Sequence, residues 1–145
     1  MDWSIQRRFE DVQVGDEIPS ITFNITVERL IEYAAAVWQF HPIHHNTRFA
    51  QGTGAPDMYA NNTVIQGWLE RTVREYIGLD GRIRRVGPVR IRTFSCPGDT
   101  VVTRGTVKRK WQEGGLGYVE LELLAEHQRG VCVAPSPVVV TLPSR

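Results

Sequence analysis

The chain has 145 residues, 41% hydrophobic and 23% charged, with 17 Lys and Arg against 16 Asp and Glu. That length supports one real core and not two, so residues 1–145 read as a single domain. A formal net charge of +1 lacks the excess of a nucleic-acid coat or a polybasic membrane binder. No window approaches the about 18 uncharged apolar residues of a membrane helix, and Met1 to Arg8 has no apolar signal core. The expectation is a cytoplasmic protein with no nucleic-acid and no membrane partner. Cys96 and Cys132 form no CxxC pair and read as buried reduced thiols.

Asp11 to Pro19 is rich in turn residues, and Ile21, Phe23 and Ile25 then alternate with Thr22, Asn24 and Thr26. That period predicts a strand over Ser20–Ile25 with one buried face. Thr26 suits an N-cap, and Val27, Leu30, Ile31, Ala34 and Trp38 recur at helical spacing, so a helix is predicted over Val27–Val37. Pro42 forces His41 out of helical geometry and ends it. Ile65, Trp68, Leu69, Thr72, Val73 and Tyr76 make a second stripe, which predicts a helix over Met58–Ile77 stopped by Gly78. Its first half, Met58–Leu69, carries no charge and is expected to be buried. Strand patterns follow at Ile83–Phe94, Val101–Gln112, Gly117–His127 and Val131–Leu142, separated by Pro97-Gly98-Asp99, Glu113-Gly114-Gly115 and Gln128-Arg129-Gly130. The predicted class is α+β, an antiparallel meander wrapped around one long helix.

After the first helix the chain reads Gln39-Phe40-His41-Pro42-Ile43-His44, with Ala50 six residues beyond. This segment resembles the D-x-N-P-x-H motif of the MaoC-like branch of the hot-dog fold, the (R)-specific enoyl-CoA hydratases and hydroxyacyl-thioester dehydratases. The order of elements is similar over nearly the whole chain, from Phe9-Glu10-Asp11-Val12-Gln13-Val14-Gly15-Asp16 to Pro97-Gly98-Asp99-Thr100. Ala50-Gln51-Gly52 through Asn61, with His44-His45, also resembles the small subunits of heteromeric steroid side-chain hydratases. The resemblance implies a hot-dog fold, an acyl-CoA thioester as substrate with no separate cofactor, and a homodimer or a heteromer with a related hot-dog subunit.

Hydration of an enoyl thioester needs a base for water, an acid for the α-carbon and donors for the enolate oxygen. His44 stands at the family's His position, and an imidazole can carry a proton near neutral pH. The plain alternative is a buried histidine bonded to a carbonyl. Gln39 stands where the family carries Asp, and a carboxamide neither takes nor gives a proton at neutral pH. His41, at the Asn position, is the candidate for a displaced partner, against the reading of His41, His44 and His45 as merely a polar loop. A zinc site on these three lacks a fourth ligand, so no metal is expected. Tyr59, Ala60, Asn61 and Asn62 fall where the resemblance puts the N–H groups that receive the thioester oxygen. Asn61 and Asn62 also suit a helix cap.

Arg82, Arg84, Arg85, Arg90 and Arg92 concentrate charge on one strand region. They read as a solvated sheet face, or as a hold on coenzyme A phosphates with Arg90 as the candidate. An RNA-binding reading of the patch lacks the glycine-aromatic pattern such sheets carry. Two functions stay open on these residues: an active hydratase or dehydratase using His44, and a non-catalytic acyl-CoA-binding subunit that completes a partner's pocket. A thioesterase is a third, disfavoured because Trp38–Leu69 holds a single carboxylate, Asp57.

Overall fold

Alternating apolar residues in the second half of the chain become the long strands of one sheet. The computed structural model describes residues 4–145, with elements β1 (Glu17–Asn24), α1 (Val27–Ala36), α2 (Thr47–Gly52), α3 (Asn62–Ile77), β2 (Arg82–Val86), β3 (Thr100–Glu113), β4 (Leu116–His127) and β5 (Gly130–Leu142). Short 3-10 turns cover Phe9–Asp11 and Pro42–His44. The sheet has five strands in the order β1-β3-β4-β5-β2, and every neighbouring pair is antiparallel. This is the α+β hot-dog arrangement: α3 lies against β1, β2, β3 and β4. Its buried face is Ile65, Trp68, Leu69, Thr72, Val73, Tyr76 and Ile77.

The two-residue period of β4 is realised in full. Gly117, Val119, Leu121, Leu123, Ala125 and His127 face inward, and the residues between them are half-buried on the outer face. The β3–β4 hairpin turns on Gly114 and Gly115 at φ 57° and 76°, the mirror-image turn that suits the strand twist. Gly117 is glycine for another reason, since a Cβ there would sit 2.5 Å from the Phe9 ring. Phe9 is held in place by Phe9 N–H donating to Pro143 O at 2.9 Å. Gly117→Ala is expected to cost about 1–3 kcal/mol by overpacking, read as a lower urea midpoint with an unchanged slope.

Three boundaries differ from the sequence expectation. The long helix begins at Asn62, not Met58, because Tyr59 N–H donates to Ile43 O at 3.2 Å and Ala60 N–H to Ser95 O at 2.9 Å. The N–H groups of Tyr59 and Ala60 are thus spent on other segments, and Asn61 caps the helix through its side chain, which accepts from Val64 N at 2.8 Å. The strand predicted over Ile83–Phe94 stops at Val86, where Gly87 takes φ 89° and Pro88 has no N–H to give. Beyond that break the chain meets β5 again only at an Ile91–Val133 bridge, with Arg92 N–H on Cys132 O at 2.8 Å. β1 starts at Glu17, ahead of the predicted Ser20, and bulges between Ile18 and Ile21. The short α2 was not predicted; Asn46 caps it by accepting from Phe49 N at 2.9 Å. Among the described residues no helix is long and apolar enough to cross a membrane. Cys96 and Cys132 are free and buried.

Candidate active site

The histidine loop is shaped by Pro42. With Pro42 at the start of the 3-10 turn, His41 Nδ1 accepts from Ile43 N at 3.4 Å, and His44 N–H donates to His41 O at 3.1 Å. One turn separates the three histidines by environment. His44 is buried at 5% exposure, whereas His41 and His45 are exposed. His41 rests edge-on against the Phe49 ring at 5.7 Å, and a ring nitrogen of His45, Nε2, bonds Phe40 O at 3.0 Å.

His44 Nδ1 lies 2.8 Å from Tyr59 O. A carbonyl oxygen only accepts, so in the neutral ring Nδ1 carries the proton and Nε2 keeps its lone pair. Burial pushes the His44 pKa below its usual 6.5; the Tyr59 carbonyl opposes this, and the neighbouring charges of His41 and His45 add to it. The ring is therefore a neutral base at physiological pH. The same shift makes stability depend on pH. A histidine with a lowered folded pKa contributes stability above its unfolded value near 6.5, and that stability is lost as pH falls from there through the folded value. The urea midpoint of the wild-type chain is expected to fall in that window, and to fall less in a His44→Gln variant.

The Tyr59 ring packs edge-on to His44 at 5.3 Å, and its other contact is Phe94 at 4.7 Å. Tyr59 and Phe94 then open onto a groove of about 480 Å³, a volume within the range of small-molecule sites. One side of the groove is Tyr59, Ala60, Asn62 and Ile65; the other is the irregular stretch holding Val89, Ile91, Arg92, Thr93, Phe94 and Ser95. Asn62 and Thr63 are the first residues of α3, and among the described residues their N–H groups find no partner, so unpaired donors and the positive end of the helix dipole meet the groove at Asn62.

The structure sets His44 against Tyr59, with His41 beside it on the loop, and brings Tyr59 and Asn62 to one groove. Asn61 is buried and its side chain is occupied in capping; Asn62 is exposed to the groove. Gln39 is exposed and its side chain makes no hydrogen bond among the described residues; its backbone N–H donates to Ala34 O at 2.9 Å. Neither Gln39, His41 nor His44 lines the groove itself. Arg90 is exposed and lies outside the groove wall, which Arg92 forms instead. Trp38 and Phe40 stand exposed as an edge-on pair 6.0 Å apart, with Trp38 at φ 55° and 84% exposure. Asp57 accepts from Thr47 Oγ1 at 2.5 Å and from Met58 N at 2.7 Å, a structural role. Among the described residues no three His, Cys, Asp or Glu side chains gather as a metal site. Phe94 and Ser95 escaped the sequence reading, although Phe94 sits one turn ahead of the Pro97-Gly98-Asp99 signal. A second hollow of about 530 Å³ lies by the β1 bulge, between Ile18, Pro19, Arg104 and Glu122, and holds none of the predicted residues.

No protein-family model matches the sequence, and no curated protein matches it. Solved structures do. A chain of the ChsH1-ChsH2 complex from Mycobacterium tuberculosis superposes with a TM-score of 0.82 at 22% identity, covering 90% of this chain and 98% of that one. The unliganded R-hydratase PhaJ1 from Pseudomonas aeruginosa gives 0.83 at 16% identity, with 95% and 86% covered. The MaoC-like dehydratase from Rhodospirillum rubrum gives 0.78 at 18% identity, with 94% and 97% covered. Over nearly its whole length, then, this chain has the hot-dog fold in the form shared by MaoC-like dehydratases and (R)-hydratases.

Proposed function

We propose that the chain binds an acyl-CoA thioester in the Tyr59–Phe94 groove and acts in its hydration or dehydration, with His44 as the group that carries the proton. The observation that supports this reading is the 2.8 Å contact of His44 Nδ1 with Tyr59 O, which leaves Nε2 as a base in a ring kept neutral by burial. The thioester oxygen, negative in the enolate, is received by the free N–H groups at the start of α3, with Asn62 at the groove. Arg92, on the groove wall, takes the place of Arg90 as the residue for a coenzyme A phosphate. Asn61 holds the helix start in position.

A second reading is favoured by Gln39, a carboxamide at the family's carboxylate position, exposed and without a partner. In that reading the chain is an acyl-CoA-binding subunit whose partner supplies the missing acid. Both edges of the sheet, β1 and β2, are open to a related subunit, and one of the similar structures is itself a ChsH1-ChsH2 complex. The test is to mix the purified chain with crotonyl-CoA and with a larger cyclic enoyl-CoA, alone and with the product of a neighbouring hydratase-like gene. Turnover by the chain alone establishes the first reading, turnover only with the partner establishes the second, and no binding of either thioester refutes both.

A further inference from the structure

Across the β4–β5 turn from the groove lies a charged cluster that the proposed chemistry does not use. Asp99 is buried at 2% exposure. Both oxygens of its carboxylate are taken: Arg129 grips them with two guanidinium nitrogens, Cys96 N–H donates at 2.8 Å and Gln128 Nε2 at 2.8 Å. Burial opposes the Asp99 charge, yet Arg129 and the Cys96 N–H hold its carboxyl below the ordinary value. The guanidinium does a second thing. Its Nη2 also donates to Phe94 O at 3.2 Å, and His127 Nε2 lies 3.2 Å from the same oxygen. His127 Nδ1 accepts from Arg129 N at 3.1 Å, so Nε2 carries the proton and donates. The 3.5 Å between Nη2 and Nε2 is therefore that of two donors converging on one carbonyl.

Phe94 belongs to no strand, lies after the Gly87–Pro88 break, and yet forms the groove wall and packs on Tyr59, which packs on His44. Main-chain bonds tie the wall on either side, at Arg92 and Ser95, but among the described residues Phe94 itself makes none, and the two donors on its carbonyl anchor it. Resting on the thioester reading above, we infer that Arg129, set by Asp99, is a positioning residue: it fixes the Phe94 wall of the groove and, through the Phe94 and Tyr59 rings, the His44 imidazole. Arg129 touches no reacting atom. It acts on a thioester only through Phe94.

The test uses the full chain, crotonyl-CoA titrated by calorimetry, and the ¹H–¹⁵N signals of the histidine rings without ligand. Arg129→Met is expected to weaken crotonyl-CoA binding about tenfold and to shift the His44 Nδ1–H signal, assigned by its loss in His44→Gln. Arg104→Met, which breaks the 2.5 Å pair with Glu126 on the outer sheet face, leaves both unchanged. In a Phe94→Ala background, Arg129→Met adds no further loss of affinity. A merely structural Arg129 would lower the melting temperature and the folded fraction while the Kd of the folded fraction stayed put, and that result overturns the proposal. So do effects of Arg129→Met and Phe94→Ala that simply add. If Arg129→Met does not fold, Arg129→Lys decides, because it keeps the charge and loses the fork that reaches both Asp99 and Phe94 O. If the unaltered chain binds no CoA thioester, the proposed function fails on that result alone. The positioning then stands or falls on the His44 signal, a shift supporting it and an unmoved signal overturning it.

Discussion

Replacing His44 by alanine is expected to lower crotonyl-CoA hydration by about 10²–10⁴, or about 3–5 kcal/mol of transition-state stabilisation. Binding of the thioester should change far less. The groove walls are Tyr59, Ala60, Asn62 and the Val89–Ser95 stretch, and His44 is not among them. A loss confined to kcat, with Kd preserved, is the signature of a group that acts in the transition state and not in the ground state. The alanine variant also leaves the half-buried Tyr59 O without its donor, which costs about 1 kcal/mol of stability. His44→Gln keeps a donor near that carbonyl and separates the two effects, so its turnover should be as low as that of the alanine variant with more of the stability kept. Single-turnover absorbance of the enoyl thioester reads the rate. Undiminished turnover in both variants, in a complex with a partner subunit, transfers the chemistry to the partner and leaves this chain the binding role.

The parts of the fold that were legible in the sequence are those where one residue's neighbours are set by local period. β4 alternates without a fault from Gly117 to His127, and the α3 stripe from Ile65 to Tyr76 is buried as its spacing predicts. What was not legible is set by bonds between distant segments. Met58-Tyr59-Ala60 is as apolar as a buried helical turn, and the bonds to Ile43 O and Ser95 O, from segments before and after it, hold it open. The strand from Ile83 continues in pattern through Ile91, but the left-handed Gly87 and the missing Pro88 N–H break its ladder. After the break it is Arg92 and not Arg90 that meets the groove. The Asp99–Arg129 grip joins residues 30 apart in the chain, and each alone reads as a turn residue. At the site, the Pro42-Ile43-His44 pattern led to the one buried histidine of the loop. Gln39 as the replacement for a carboxylate rests on the resemblance alone, and the fold shows only that it is exposed ahead of that turn.

Gln39→Asp is expected to raise crotonyl-CoA turnover by about 10², the lower end of what one positioned acid or base contributes. The reason is the chemistry of the replaced group. A carboxamide can orient a water or a thioester but has no proton to exchange at neutral pH, so on the proposed reading Gln39 supplies neither of the two proton-handling groups that hydration requires. The loop has room for the change, because Gln39 is exposed, its side chain makes no hydrogen bond among the described residues, and its backbone is pinned to Ala34 O. In the free chain the new carboxylate would keep the ordinary value of an exposed Asp and be ionised at neutral pH. A bound thioester or a partner subunit that covers the loop raises that value by desolvation, toward the range where a carboxyl group can also donate. The gain should therefore be larger in the presence of a partner subunit than in the isolated chain, and it should appear in kcat while Kd stays nearly constant. Two results point elsewhere. Full wild-type turnover that disappears in His41→Ala assigns the second proton to His41, whose charge already reaches His44. An unchanged rate in Gln39→Asp, with every turnover dependent on the partner, places both proton-handling groups on that partner and makes Gln39 the mark of a subunit that binds and does not react.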